Sequence, residues 1–138
     1  LLIIDRNTRK AKFYKMGAAS SFVLRDGKVR MFEQAALPIG IIPEIRLTHV
    51  ALQLRPGDIV LMASDGITEA GREVDAAAAD RDIDGTWLRE LLEERAPAEL
   101  AGISARKLAR WILAETVKQY GERERDDLTV AAIKILPA

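Results

Sequence analysis

Cysteine is absent from this 138-residue chain, and histidine occurs once, at His49. The first absence removes disulfides, zinc–thiolate sites and every thiol nucleophile. The second removes clustered imidazole zinc sites and phosphotransfer between histidines. Neither charge is in excess, since Lys plus Arg and Asp plus Glu stand at 21 each. No global field therefore draws the chain to nucleic acid or to an anionic membrane. No apolar run approaches the roughly 20 residues that cross a bilayer, and no signal peptide is visible. The expectation is a cytoplasmic segment with no nucleic-acid partner and no membrane contact of its own. For hydrolytic chemistry, what is left is carboxylate plus metal, a Ser/Lys arrangement or paired acids.

What is present is a core. Apolar residues make up 49% of the chain, enough for one domain over 1–138. The opening Leu1-Leu2-Ile3-Ile4 lies in the middle of an apolar run and reads as part of something longer. The N-terminal half has strand character. Leu1 to Asp5 is a short strand, Arg6-Asn7-Thr8-Arg9 a turn, and Lys12 to Met16 a second strand. Ser21–Arg25 and Lys28–Phe32 flank Asp26-Gly27, a two-residue loop whose central positions both need φ > 0, which marks a hairpin. Leu37 to Pro43 reads as an extended apolar loop, because its prolines deny it a ladder. Leu47 to Leu54 alternates moderately. Arg55-Pro56-Gly57-Asp58 turns it into Ile59 to Ala63, which is apolar throughout and reads as a central strand covered on both faces.

The period then changes. Thr86 is placed to cap a helix with Trp87, Leu88, Leu91 and Leu92 on one face. Ser104 is placed to cap a longer one with Leu108, Ala109, Ile112, Leu113, Thr116, Val117 and Tyr120 at i, i+3, i+4 spacing, ended by Gly121. Pro97 and Gly102 separate the two. Val74 to Gly85 is too polar and repetitive for core, and Leu128 to Leu136 is a closing strand. About seven strands and two or three helices, β first and one strand last, give an α+β sandwich rather than a doubly wound fold.

Two carboxylate motifs stand out. Gly57-Asp58 to Ser64-Asp65-Gly66 and Asp126-Asp127-Leu128-Thr129-Val130 each place an acid where an apolar strand meets a turn. Taken singly, the first is a commonplace turn and the second the end of a solvated charged stretch. Together they are two acids on rigid elements, and converging carboxylates need a shared proton or a hard cation. Mg²⁺ and Mn²⁺ take oxygen ligands and keep several waters. Other residues have plainer readings. His49 is an edge or partly buried histidine. Ser64 is a turn hydroxyl rather than a nucleophile. Glu69 is either an outer-shell acid or an acid favourable at a helix start. Trp87 and Trp111 are packing residues. A calcium-binding module is a poor third reading, since no Asp-x-Asp-x-Asp-Gly loop with a distal Glu exists.

Ser64-Asp65-Gly66-Ile67-Thr68-Glu69-Ala70 and Asp126-Asp127-Leu128-Thr129-Val130 resemble the two late motifs of the metal-dependent serine/threonine protein phosphatases (the PPM, or type 2C, class). Lys15 to Arg25 and Leu37-Pro38-Ile39-Gly40-Ile41 resemble its bacterial branch, which includes stage II sporulation protein E. The resemblance implies an α-β-β-α sandwich of two antiparallel sheets, N-terminally truncated, with two Mn²⁺ or Mg²⁺ ions at one end of the sheets. It implies hydrolysis of phosphoserine or phosphothreonine by metal-activated water, with no phospho-enzyme. Asp65 and Asp126 match the family positions that hold the second ion, while Asp127 stands where many relatives carry Asn. The family's bridging aspartate would lie before Leu1. The implied substrate is a phosphorylated anti-anti-sigma-type regulator. The 138 residues alone are expected to bind metal weakly and to be inactive, and an open sheet edge is expected either to pair copies into a homodimer or to leave a loosened N-terminus. The alternative is a non-catalytic regulator-binding domain with a degenerate phosphatase fold.

Overall fold

A computed structural model describes residues 1–14, 20–32, 49–71, 85–95, 97–123 and 126–137. Seven strands among them form two antiparallel sheets. The three-stranded sheet has the order β1 (Leu2–Ile4), β2 (Lys10–Tyr14), β5 (His49–Gln53). The four-stranded sheet has the order β4 (Lys28–Phe32), β3 (Ser21–Arg25), β6 (Ile59–Ala63), β7 (Val130–Lys134). Between the β-rich half and β7 come the helices α1 (Asp65–Thr68), α2 (Thr86–Glu94), α3 (Pro97–Gly102) and α4 (Ala105–Tyr120).

The period-2 alternation of the strands divides the core into two layers. Phe22, Leu24, Ile59 and Leu61 face the helices, where they meet Leu88, Leu92, Leu108 and Ile112. Val23 and Val60 point the other way, toward Ala11, Phe13 and Leu54 of the three-stranded sheet. Strand β6 is thus covered on both faces, and Val60 and Leu61 are both 0% exposed. Each fully buried Leu or Ile stabilises the fold by about 1.5–3 kcal/mol relative to an exposed one. Phe13 and Phe32 stack between the sheets with centroids 4.6 Å apart. The described layers are therefore helices, four-stranded sheet and three-stranded sheet, an α+β sandwich.

Local signals mostly do what their chemistry asks. Asp26 and Gly27 take φ of 51° and 75° and close β3 onto β4 in the register Arg25↔Lys28. The Ser104 hydroxyl accepts the Lys107 amide at 3.3 Å and opens α4, and Gly121, at φ 58°, ends it. Along α4, Leu108, Ile112, Thr116 and Tyr120 are buried.

Four expectations need correction. The cap of α2 is Gly85, at φ 92°, and Thr86 is already helical. Pro97 and Gly102 bound a short helix, α3, instead of only separating two longer ones; proline is tolerated in a first turn because its missing N–H has no partner there anyway. Asp65-Gly66 opens a helix, α1, where a turn was expected. Val117 is 41% exposed, off the buried row of α4. The expectations for Met16, Leu37 to Pro43 and Val74 to Asp84 lie outside the described residues. Among the described residues no helix is long and apolar enough to cross a membrane.

Candidate metal centre

The site begins where β6 and β7 run out together. The two strands pair antiparallel up to Ala63↔Val130. One residue further, Ser64 continues the contact by other means. Its amide donates to the Thr129 carbonyl at 2.9 Å. Its hydroxyl donates to the Asp127 carbonyl at 2.9 Å and accepts the Thr129 amide at 3.0 Å. Three hydrogen bonds thus fasten the residue before Asp65 to the segment that follows Asp126. Ser64 is a fastening, consistent with its reading as a turn hydroxyl.

Gly66 makes that approach sterically feasible. A Cβ built there would lie 2.6 Å from the Asp127 carbonyl oxygen and 3.2 Å from the Leu128 side chain. Its backbone is not in the left-handed region. Glycine is needed for closeness, not for a turn.

Asp65 and Asp126 are both exposed, and so is Asp127. Each of the first two uses Oδ1 in the same way. Asp65 accepts the Gly66 amide at 2.9 Å, and Asp126 accepts the Asp127 amide at 2.8 Å. Among the described residues neither forms a salt bridge. Two carboxylates on adjacent segments are thus oriented by their own backbone and open to solvent. Oxygen donors of this kind suit Mg²⁺ or Mn²⁺, which take one or two carboxylates and complete their shell with water. Among the described residues no group of three or more His, Cys, Asp or Glu is placed to hold a metal.

Tyr120 reports the same neighbourhood. Burial is the first cause that pushes its phenol pKa up. Glu69 adds to the rise, Arg123 opposes it, and Asp126 and Asp65 both contribute further. One phenol therefore feels both carboxylates at once, although they are far apart in sequence.

The remaining acids and the histidine separate from this pair. Asp58 is 2% exposed and sits at the opposite end of β6. Arg25 grips it with two bonds, Nε to Oδ1 at 2.9 Å and Nη2 to Oδ2 at 2.6 Å, while the Arg55 amide donates to Oδ2 at 2.7 Å. The same Nη2 donates to the Gln53 carbonyl at 2.8 Å, tying the two sheets. The Asp58 carboxylate holds the Arg25 guanidinium more firmly charged, against the opposing effect of burial. Surface hollows of 380 and 500 Å³ lie at this end, lined in common by Arg25, Asp26 and Val29. Glu69 is the C-cap of α1, so its expected place at a helix start is wrong. His49 is an exposed residue of β5, its ring 5.1 Å from that of Tyr14, its register partner on β2 in the same sheet. Trp111 packs on the helical core under the Arg95 guanidinium, 4.1 Å from its centroid. Trp87 also packs there but carries a hydrogen bond, from Nε1 to the Ile67 carbonyl at 2.9 Å. No local signal in the sequence announces that bond, or that of Tyr120 Oη to the Gly66 carbonyl at 2.7 Å.

The phosphatase domain of the Bacillus subtilis cell fate determinant SpoIIE, solved with a fragment of its regulatory domain, superposes with a TM-score of 0.76 at 29% identity, over 98% of this chain and 37% of that one. A manganese-presoaked structure of the same phosphatase domain gives a TM-score of 0.73 at 28% identity, over 100% of this chain and 56% of that one. The fold is that of the PP2C phosphatases. A family model for stage II sporulation protein E (SpoIIE) matches residues 1–136, and the chain belongs to that family. Stage II sporulation protein E of Bacillus subtilis (strain 168) is 31% identical over an alignment of 138 positions that covers 98% of this chain and 15% of that protein's length.

Proposed function

We propose that Asp65 and Asp126 hold a Mn²⁺ or Mg²⁺ ion in a phosphatase that hydrolyses phosphoserine or phosphothreonine in a protein. The observation that carries this reading is the fastening at Ser64, which sets two exposed carboxylates from distant parts of the sequence on neighbouring backbone. Manganese soaking of a related phosphatase domain points to the same class of ion.

A bound divalent ion neutralises phosphoryl oxygens and lowers the pKa of water from about 15.7 to about 7. The chain's own residues supply position. Asp65 and Asp126 offer oxygen ligands whose Oδ1 atoms are already oriented by the next amide. Ser64 and Gly66 set the spacing between the segments. Both carboxylates are exposed, so a phosphorylated side chain presented by another protein would reach them. The proposed partner is a phosphorylated anti-anti-sigma-type regulator. In keeping with the resemblance, the bridging aspartate is placed before Leu1, so residues 1–138 alone should bind metal weakly and hydrolyse little.

The test uses the natural full-length protein and a phosphoserine protein substrate, assayed with Mn²⁺ and with EDTA. Hydrolysis should require the ion. Asp65→Asn and Asp126→Asn should each lower it by about 100-fold or more, the loss of a group that stabilises the transition state. Retention of activity within about threefold in either variant would refute the assignment.

A further inference from the structure

Helix α1 has four residues, too few to be stable by itself. Its carbonyls are satisfied largely from elsewhere. Asp65 O accepts the Glu69 amide at 2.8 Å, inside the turn. Gly66 O accepts Tyr120 Oη at 2.7 Å, from the last residue of α4. Ile67 O accepts Trp87 Nε1 at 2.9 Å, from the first turn of α2, and the Ala70 amide at 3.3 Å, inside the turn. Thr68 O accepts the Gly85 amide at 3.0 Å, and Ala70 O accepts Arg123 Nη2 at 2.8 Å. Two aromatic donors on two helices thus take two successive carbonyls of the turn that begins with Asp65. Gly66 and Ile67 are buried, so those carbonyls have no water to fall back on.

From this we infer that Tyr120 and Trp87 are positioning residues: their hydrogen bonds to Gly66 and Ile67 fix the turn that presents Asp65 beside Asp126. The inference rests on the metal reading above and adds to it the groups that set ligand geometry. Partners of this outer kind commonly govern metal affinity by about 10–100-fold. Phenylalanine at either position keeps the ring and removes only the donor. Thr116 supplies the control. Its hydroxyl donates to the Ile112 carbonyl at 2.8 Å, buried in the same helix α4, and not to a carbonyl of α1.

The experiment measures Mn²⁺ dissociation constants of the natural full-length protein from the free-ion electron paramagnetic resonance signal. The variants are Tyr120→Phe, Trp87→Phe, Thr116→Val and Asp65→Asn. Tyr120→Phe and Trp87→Phe should each weaken binding about tenfold, while Thr116→Val stays within twofold of wild type despite losing a comparable buried hydrogen bond. Binding that Asp65→Asn abolishes but Tyr120→Phe and Trp87→Phe leave unchanged overturns the clamp alone. Equal weakening by Tyr120→Phe and Thr116→Val also overturns it, since general loosening would then be the cause. No Mn²⁺ binding by wild type, or equal binding by Asp65→Asn, overturns the metal reading and the clamp with it.

Discussion

Strand β6 is entered by Asp58 and left by Asp65, and the two carboxylates could hardly be treated more differently. Asp58 is 2% exposed, gripped by Nε and Nη2 of Arg25 and by the Arg55 amide. Its charge is spent inside the fold, on joining β3 to the turn before β6 and, through Arg25, on joining the two sheets. Asp65 is exposed, its carboxylate engages only the following amide among the described residues, and the adjoining segment carries a second acid, Asp126, in the same condition. What satisfies a carboxylate tells its role. The matched one is structural; the two open ones at the other end are available to a ligand.

The comparison can be pressed from either end. At the Asp58 end, Arg25→Ala would leave a buried carboxylate without its partner. Breaking a buried pair costs about 3–5 kcal/mol, and because Arg25 is 26% exposed the lower figure, about 3 kcal/mol, applies. Urea denaturation should show this as a lowered midpoint, and a loss under about 1 kcal/mol would mean that Asp58 is satisfied by backbone alone.

At the other end, Gly66→Ala should cost somewhat less, about 1–3 kcal/mol, by forcing a methyl group against the Asp127 carbonyl. Its more telling effect should be weaker Mn²⁺ binding, because the segments carrying Asp65 and Asp126 must separate. Unfolding and Mn²⁺ titration of the same variant separate the two effects. Binding as tight as wild type would show that the spacing set at Gly66 does not matter to the ion.

How much of this could be read from residues alone follows the range of each interaction. The Asp26-Gly27 hairpin, the Ser104 cap and the two-sided burial of Ile59 to Ala63 are encoded within a few residues, and local chemistry finds them. Helix α1 is not local. Its carbonyls are met by Gly85, Trp87, Tyr120 and Arg123, so Asp-Gly after a strand looks like any turn until α2 and α4 are in place. The Arg25–Asp58 pair hides for the same reason, since Arg-Pro-Gly-Asp reads as a turn whichever way its carboxylate faces. Asp65 and Asp126 were legible as candidates because two apolar strands end in acids. Their neighbourhood was not, because it depends on β6 and β7 being adjacent in the sheet.

The most direct test of the account is anomalous diffraction at the manganese edge from crystals of the natural full-length protein soaked in Mn²⁺. The account predicts a peak bonded to both the Asp65 and the Asp126 carboxylates, lost when either becomes asparagine. A manganese peak that touches only one of them, or none in that region, would contradict it.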